Sequence, residues 1–233
     1  ALMTEFAGQL HSIYIYGSVA RGNAVKGKSD LDLLVVFRNQ PTEDQKAKVK
    51  QLAGELSTKI RPDLREVGIE TTYYDEVTDS ANLYGWGAYL AIFCLCVWGE
   101  DLVPTFPRFK LTPQIAFGFN GDIEDAVQRY SKQIRDESDT TKLLLICSQM
   151  SRKLIRTSYS MVMSRTQIST PSLQRQVSLL IKYFPSKQRY LERLIEWTAE
   201  PTGDKQALFD MLQNYGSWLV TNFAAEANKT VTV

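Results

Sequence analysis

The stretch that decides the fold is "IYIYGSVARGNAVKGKSDLDLLVVF", residues 13 to 37. Two apolar runs bracket a loop of glycine, serine and basic residues, and runs of this kind punctuated by glycine read as buried strands. The second run opens with two aspartates one residue apart. Alternate residues of a strand point to one side, so Asp30 and Asp32 are expected to project together. Two carboxylates that close repel unless a cation lies between them. Hard oxygen ligands on a rigid strand suit Mg²⁺, which takes one or two carboxylates and fills its octahedron with water and phosphate oxygens. The residues upstream suit the phosphate. Gly17 permits close approach to the backbone, Ser18 offers a hydroxyl and an N–H, and a helix starting at "SVARG" would add amides that favour an anion.

Outward from this block, "SIYIY" (12–16) and "LDLLVVF" (31–37) are the first two strands. In "PTEDQKAKVKQLAGELSTKI" the apolar residues Val49, Leu52, Leu56 and Ile60 form a helical stripe, with Thr42 as N-cap and Gln45 completing a capping box. "VGIETTYY" (67–74) is a third strand, with Val67, Ile69, Thr71 and Tyr73 on one face and Glu70, Thr72 and Tyr74 on the other. The uncharged run from Ser80 predicts a buried helix, and not a membrane span, ending near Trp98 with Gly99 as its stop. Together these elements predict an α/β (α+β) domain over residues 1–106, with a mixed sheet and a packed helix.

The second half differs. "PTFPRFKLTP" carries three prolines in ten residues and reads as a connector. Beyond it, Ile123, Val127, Tyr130 and Ile134 keep helical spacing, and Thr140 or Thr141 is placed to cap a long helix running through Met163. Further helices are expected near 172–184, 187–199 and 204–225, with no strand pattern, so residues 107–233 read as an all-α bundle.

The motif "GSVARG", then "DLD" with eleven residues between Ser18 and Asp30, resembles the nucleotidyltransferase superfamily that includes DNA polymerase β and the aminoglycoside nucleotidyltransferases. That resemblance implies a catalytic domain joined to an acceptor-binding helical domain. It also implies a third carboxylate on a neighbouring strand, and Glu70 matches. Of the other nearby acids, Asp75 has the wrong parity for that face, and Glu76 and Asp79 fall beyond the strand. By the same resemblance Asp30, Asp32 and Glu70 are the catalytic and Mg²⁺-binding set, while Gly17, Ser18, Arg21 and Ser29 face the nucleotide. Ser29 also suits an ordinary turn cap. The chain is most like the streptomycin and spectinomycin adenylyltransferases, to which "LAIFCLCVWGEDL" and "RTSYSMVM" are also similar. Those enzymes carry a phosphate-binding lysine after the second segment. Here the stretch reads "SRTQISTPSLQRQ", with Arg165 and Arg175 the nearby cations.

Composition narrows the chemistry. The 27 basic and 26 acidic residues nearly cancel, which argues against a partner as highly charged as nucleic acid. One histidine, His11, excludes any site that needs several imidazoles, leaving acid and base work to carboxylates. Three cysteines without metal-binding spacing suit a reducing cytosol. The expectation is a cytoplasmic, Mg²⁺-dependent enzyme that transfers AMP from ATP to a hydroxyl of a small molecule such as an aminoglycoside. A protein or RNA-end acceptor, or nucleotide binding without catalysis, are the alternatives.

Overall fold

A short helix, α1 (Leu2–Glu5), leads into β1 (Leu10–Tyr16), where isoleucines alternate with tyrosines and so offer both faces to apolar neighbours. The computed structural model describes residues 1–229. After β1 come α2 (Gly17–Ala20), β2 (Leu31–Phe37), α3 (Glu43–Ile60), β3 (Val67–Tyr73) and α4 (Tyr74–Thr78). A π-helical turn over Leu83–Gly87 runs into α5 (Ala88–Phe93), and β4 (Leu95–Gly99) follows. The strands form one mixed sheet in the order β3-β2-β1-β4, in which β2 and β3 run parallel and β1 is antiparallel to both its neighbours.

Period-two alternation sorts the strand residues onto two faces. Ile13, Leu33, Val35, Phe37 and Val67 pack with Phe6 of the N-terminal segment and with Val49 and Leu52 of α3. Tyr14, Leu34 and Val36 pack on the opposite side with Val77, Leu90 and Leu102. The central strand β2 is therefore buried on both faces along Leu33–Phe37, which is why its sequence is a continuous apolar run. Thr42 caps α3 through the expected reciprocal pair with Gln45.

Several expectations change. The apolar run does not continue as a helix to Trp98: α5 ends at Phe93 and Leu95–Gly99 is the fourth strand. Pairing with β1 outcompetes a lone apolar helix there. Gly99 acts at a strand end instead of a helix stop, its φ of +83° and the 2.2 Å between an added Cβ and the His11 carbonyl oxygen admitting no side chain. The third strand stops at Tyr73, because Tyr74 opens α4.

The chain divides into two compact units, Ala1–Phe109 and Lys110 onward. The second is built of α6 (Pro113–Asn120), α7 (Ile123–Asp136), α8 (Thr140–Thr166), α9 (Leu173–Tyr183), α10 (Gln188–Ala199), α11 (Lys205–Met211) and α12 (Ser217–Ala227), with a π-helical turn at Leu212–Gly216 joining the last two. Helix α6 begins inside the proline-rich segment, Pro113 occupying its first turn where no N–H is needed. The cap of α8 is Asp139, whose side chain accepts from the Thr141 and Lys142 amides, and not Thr140 or Thr141. Among the described residues no helix is long and apolar enough to cross a membrane.

Candidate active site

Strand pairing places the acids. In the register of the sheet Asp32 stands between Tyr16 of β1 and Gly68 of β3, and Leu34 stands opposite Glu70. Asp32 and Leu34 share a face, so Asp32 and Glu70 do too, one pleat repeat apart on adjacent strands. Here the face that is a core along Tyr14, Leu34 and Val36 turns polar toward the start of β2.

Two glycines make room for the Asp32 carboxylate. A Cβ on Gly17 would stand 2.1 Å from Asp32 Oδ2, and one on Gly68 would stand 3.4 Å from Oδ1. Gly17 also holds a φ of +74°, which an L side chain rarely adopts. The turn that opens α2 is thus shaped around the Asp32 side chain, and the backbone after β1 lies directly against it. With four residues, α2 is too short for its dipole to matter much.

The electrostatics follow from this crowding. Burial holds the Asp32 carboxyl above the usual carboxylate range, with the Asp30 and Glu70 carboxylates adding to the effect and Arg21 opposing it. Tyr16 is pushed well above the ordinary phenol range by burial and by the Glu70 and Asp32 carboxylates. Burial and Glu70 push the Cys94 thiol up to about 12, so it is no nucleophile at neutral pH.

Asp30 behaves differently from its partner. Strand β2 starts at Leu31, leaving Asp30 just outside the ladder. Both its carboxylate oxygens are taken by Arg65, with Nε donating to Oδ1 at 2.8 Å and Nη2 donating to Oδ2. Among the described residues no three histidine, cysteine, aspartate or glutamate side chains stand together as a ready metal cluster. The sheet brings Asp32 and Glu70 onto one face, and the guanidinium holds Asp30. The donor chemistry still fits a hard divalent ion: carboxylate oxygens, negative charge in excess around Asp32, and a glycine cradle that a Cβ would fill.

The remaining candidates fall into place. Ser29 Oγ accepts from the Val25 amide, the turn-cap role. Arg21 is exposed at the C-terminal end of α2. Glu76 accepts from Thr72 Oγ1 at 2.6 Å, and Asp79 caps the turn at Ala81. In the helical unit, Arg165 donates to the Met161 carbonyl and to Glu226 and lies over the Tyr183 ring, so it is committed to packing there. Arg175 is exposed on α9. Two residues at the site escaped sequence reading. Tyr16 carries a usable signal, since it immediately precedes Gly17. Arg65 carries none beyond being basic just before a strand, because its pairing depends on the β2/β3 register.

Residues 4–81, which include all of these N-terminal candidates, match the nucleotidyltransferase domain family. A candidate protein adenylyltransferase of Methanocaldococcus jannaschii is 31% identical over 80 residues, 33% of this chain and 80% of that protein. The chain is also similar to a solved spectinomycin adenyltransferase from Enterococcus faecialis, crystallised with ATP and spectinomycin. The TM-score is 0.59 at 16% identity, covering 98% of this chain and 95% of that one, a likeness of fold.

Proposed function

The chain belongs to the nucleotidyltransferase family, and from that premise we propose that it transfers AMP from ATP to a hydroxyl of a small acceptor, an aminoglycoside-type molecule, releasing pyrophosphate. The observation that carries this reading is the placement of Asp32 and Glu70 on one sheet face, with the Asp32 carboxylate seated against the Gly17 turn.

In this reading Asp32, Asp30 and Glu70 would hold Mg²⁺. When bound, the ion polarises the α-phosphate and offsets charge on the departing pyrophosphate. Gly17 and Ser18 offer backbone N–H and hydroxyl donors to phosphate oxygens, made accessible by the missing side chain at 17. Glu70 accepts the proton of the acceptor hydroxyl as its oxygen bonds to the α-phosphorus and the bond to pyrophosphate breaks. Tyr16, lying beside both Glu70 and Asp32, orients the Glu70 carboxylate and stays protonated throughout. Arg21 balances phosphate charge in the same reading. Acceptor binding is assigned to the helical unit.

The test is incubation with α-labelled ATP, Mg²⁺ and a panel of aminoglycosides and other hydroxylated small molecules, followed by mass analysis. An acceptor heavier by one AMP is expected, lost in Asp32→Asn. The named activity of the archaeal relative favours a second reading, with a protein acceptor. Label on a protein band, with none on small molecules, would replace the first reading by the second. ATP binding without pyrophosphate release overturns both.

A further inference from the structure

Asp30 already has a cation. Arg65 engages both of its carboxylate oxygens, and the pair is placed by backbone as well as by charge: the Arg65 amide donates to the Ser29 carbonyl at 2.9 Å, and the Leu31 amide donates to the Glu66 carbonyl at 2.9 Å. These bonds lie just before Leu31↔Val67, the first pair of the parallel β2/β3 ladder, so residues 65 and 66 are held beside residues 29 to 31 whenever the sheet is formed. The two ends of the pair differ in freedom. The Asp30 side chain is 23% exposed, whereas that of Arg65 is 58% exposed and has a second acid within reach, Glu66, at 3.6 Å from Nη2. At the same corner Lys26 and Asp63 pair with each other at 2.9 Å.

We infer that Arg65 is a resident counter-ion for Asp30 that a divalent cation must displace, with the released guanidinium passing to Glu66. This rests on the proposed nucleotidyltransferase reading and goes beyond it by giving that site a built-in threshold. While Arg65 holds Asp30, the carboxylates on the sheet do not act as a trio. A cation that reaches Asp32 and Glu70 gains its third carboxylate only by competing with a bidentate guanidinium, the geometry that binds carboxylate best. A guanidinium does not deprotonate in proteins, so Arg65 keeps its charge as a competitor for Asp30 at every pH.

The experiment is direct titration with Mn²⁺, followed by the loss of the free-ion electron paramagnetic resonance signal in the full chain without nucleotide. Arg65→Met keeps length and apolar stem but removes the charge. It is expected to bind Mn²⁺ more tightly than the unmodified protein by on the order of five- to ten-fold, the range in which partly exposed ion pairs and nearby charges act. Arg65→Lys, which keeps the charge and loses the fork, should fall between them, and it serves as the measurement if Arg65→Met does not fold. Glu66→Gln removes the alternative acceptor and should weaken Mn²⁺ binding. Affinity that is unchanged or lower in both Arg65 variants overturns the inference. If that happens while the unmodified protein still binds Mn²⁺ through Asp32 and transfers AMP, only the role of Arg65 falls. Failure of the unmodified protein to bind Mn²⁺ or to turn over ATP overturns the functional reading along with it.

Discussion

Asp32 is the residue on which site and stability pull in opposite directions. Its carboxyl is raised above the ordinary range by burial and then by Asp30 and Glu70, so the folded state disfavours its charged form. A raised carboxylate lowers stability at every pH above its folded value, and the penalty vanishes as pH falls through the unfolded value. Asp32→Asn should therefore abolish AMP transfer and, without divalent cation, raise Tm at pH 7 by about 2–4 °C for each ~1 kcal/mol relieved. Thermal scans from pH 7 to pH 3 would check the sign, since the two proteins should converge at the acid end. A Tm that drops in Asp32→Asn would mean that the carboxylate is satisfied as it stands. Gly17 tests the other half of the same contact. Gly17→Ala forces a Cβ to 2.1 Å from Asp32 Oδ2 at a φ of +74°, and should lose transfer while costing about 1–2 kcal/mol in urea unfolding. At this scale the sequence was informative wherever function depends on residue type in a short span: the glycine, the serine and the two aspartates. It was silent on Arg65, whose partner lies 35 positions away.

At the scale of elements, local signals were legible and pairing signals were not. The capping box at Thr42 and Gln45, the stripe of α3 and the amphipathic α7 depend on neighbours a few positions apart, and those readings match the fold. Strand β4 failed because "LCVWG" continues an apolar run and carries no alternation of its own. Leu95, Val97 and Trp98 stay exposed, so burial leaves no imprint on the pattern, and only the ladder with β1 makes the segment a strand. The cap of α8 missed by one residue for a simpler reason. Asp139, Thr140 and Thr141 are all cap formers, and the choice depends on which side chain reaches back to the amides. Asp139→Ala should cost about 1 kcal/mol in chemical denaturation, whereas exposed Thr140→Ala should stay within about ±0.5 kcal/mol. A larger loss at Thr140 than at Asp139 would move the cap back to the residue read from sequence.

Taken as a whole molecule, this chain has one unusual economy: a single histidine among 233 residues. No other side chain has an unperturbed pKa between pH 5 and 8, so acid sensitivity just below neutrality is concentrated in one imidazole. His11 is 7% exposed, on the strand that holds the sheet together, with its Nδ1 3.1 Å from Ser12 Oγ and its ring 5.0 Å from that of Tyr74. Burial lowers its pKa first and Arg38 second, outweighing the Glu100 carboxylate that lies 3.9 Å from Nε2. The folded state thus resists a proton that the unfolded chain accepts near pH 6.5, and stability rises with pH in the window below that value. Acidification from pH 7 should therefore weaken the fold, with a limiting slope of about 1.4 kcal/mol per pH unit for one proton. Asp32 contributes with the opposite sign, since its raised carboxyl favours the folded state in acid. The quantity to measure is consequently the difference in urea-unfolding free energy between the unmodified protein and His11→Gln, taken from pH 7.5 to pH 5. The variant should start less stable and lose less on acidification, closing the gap as pH falls. A gap that widens toward pH 5 would mean that the Glu100 carboxylate dominates and that the buried imidazole is held protonated.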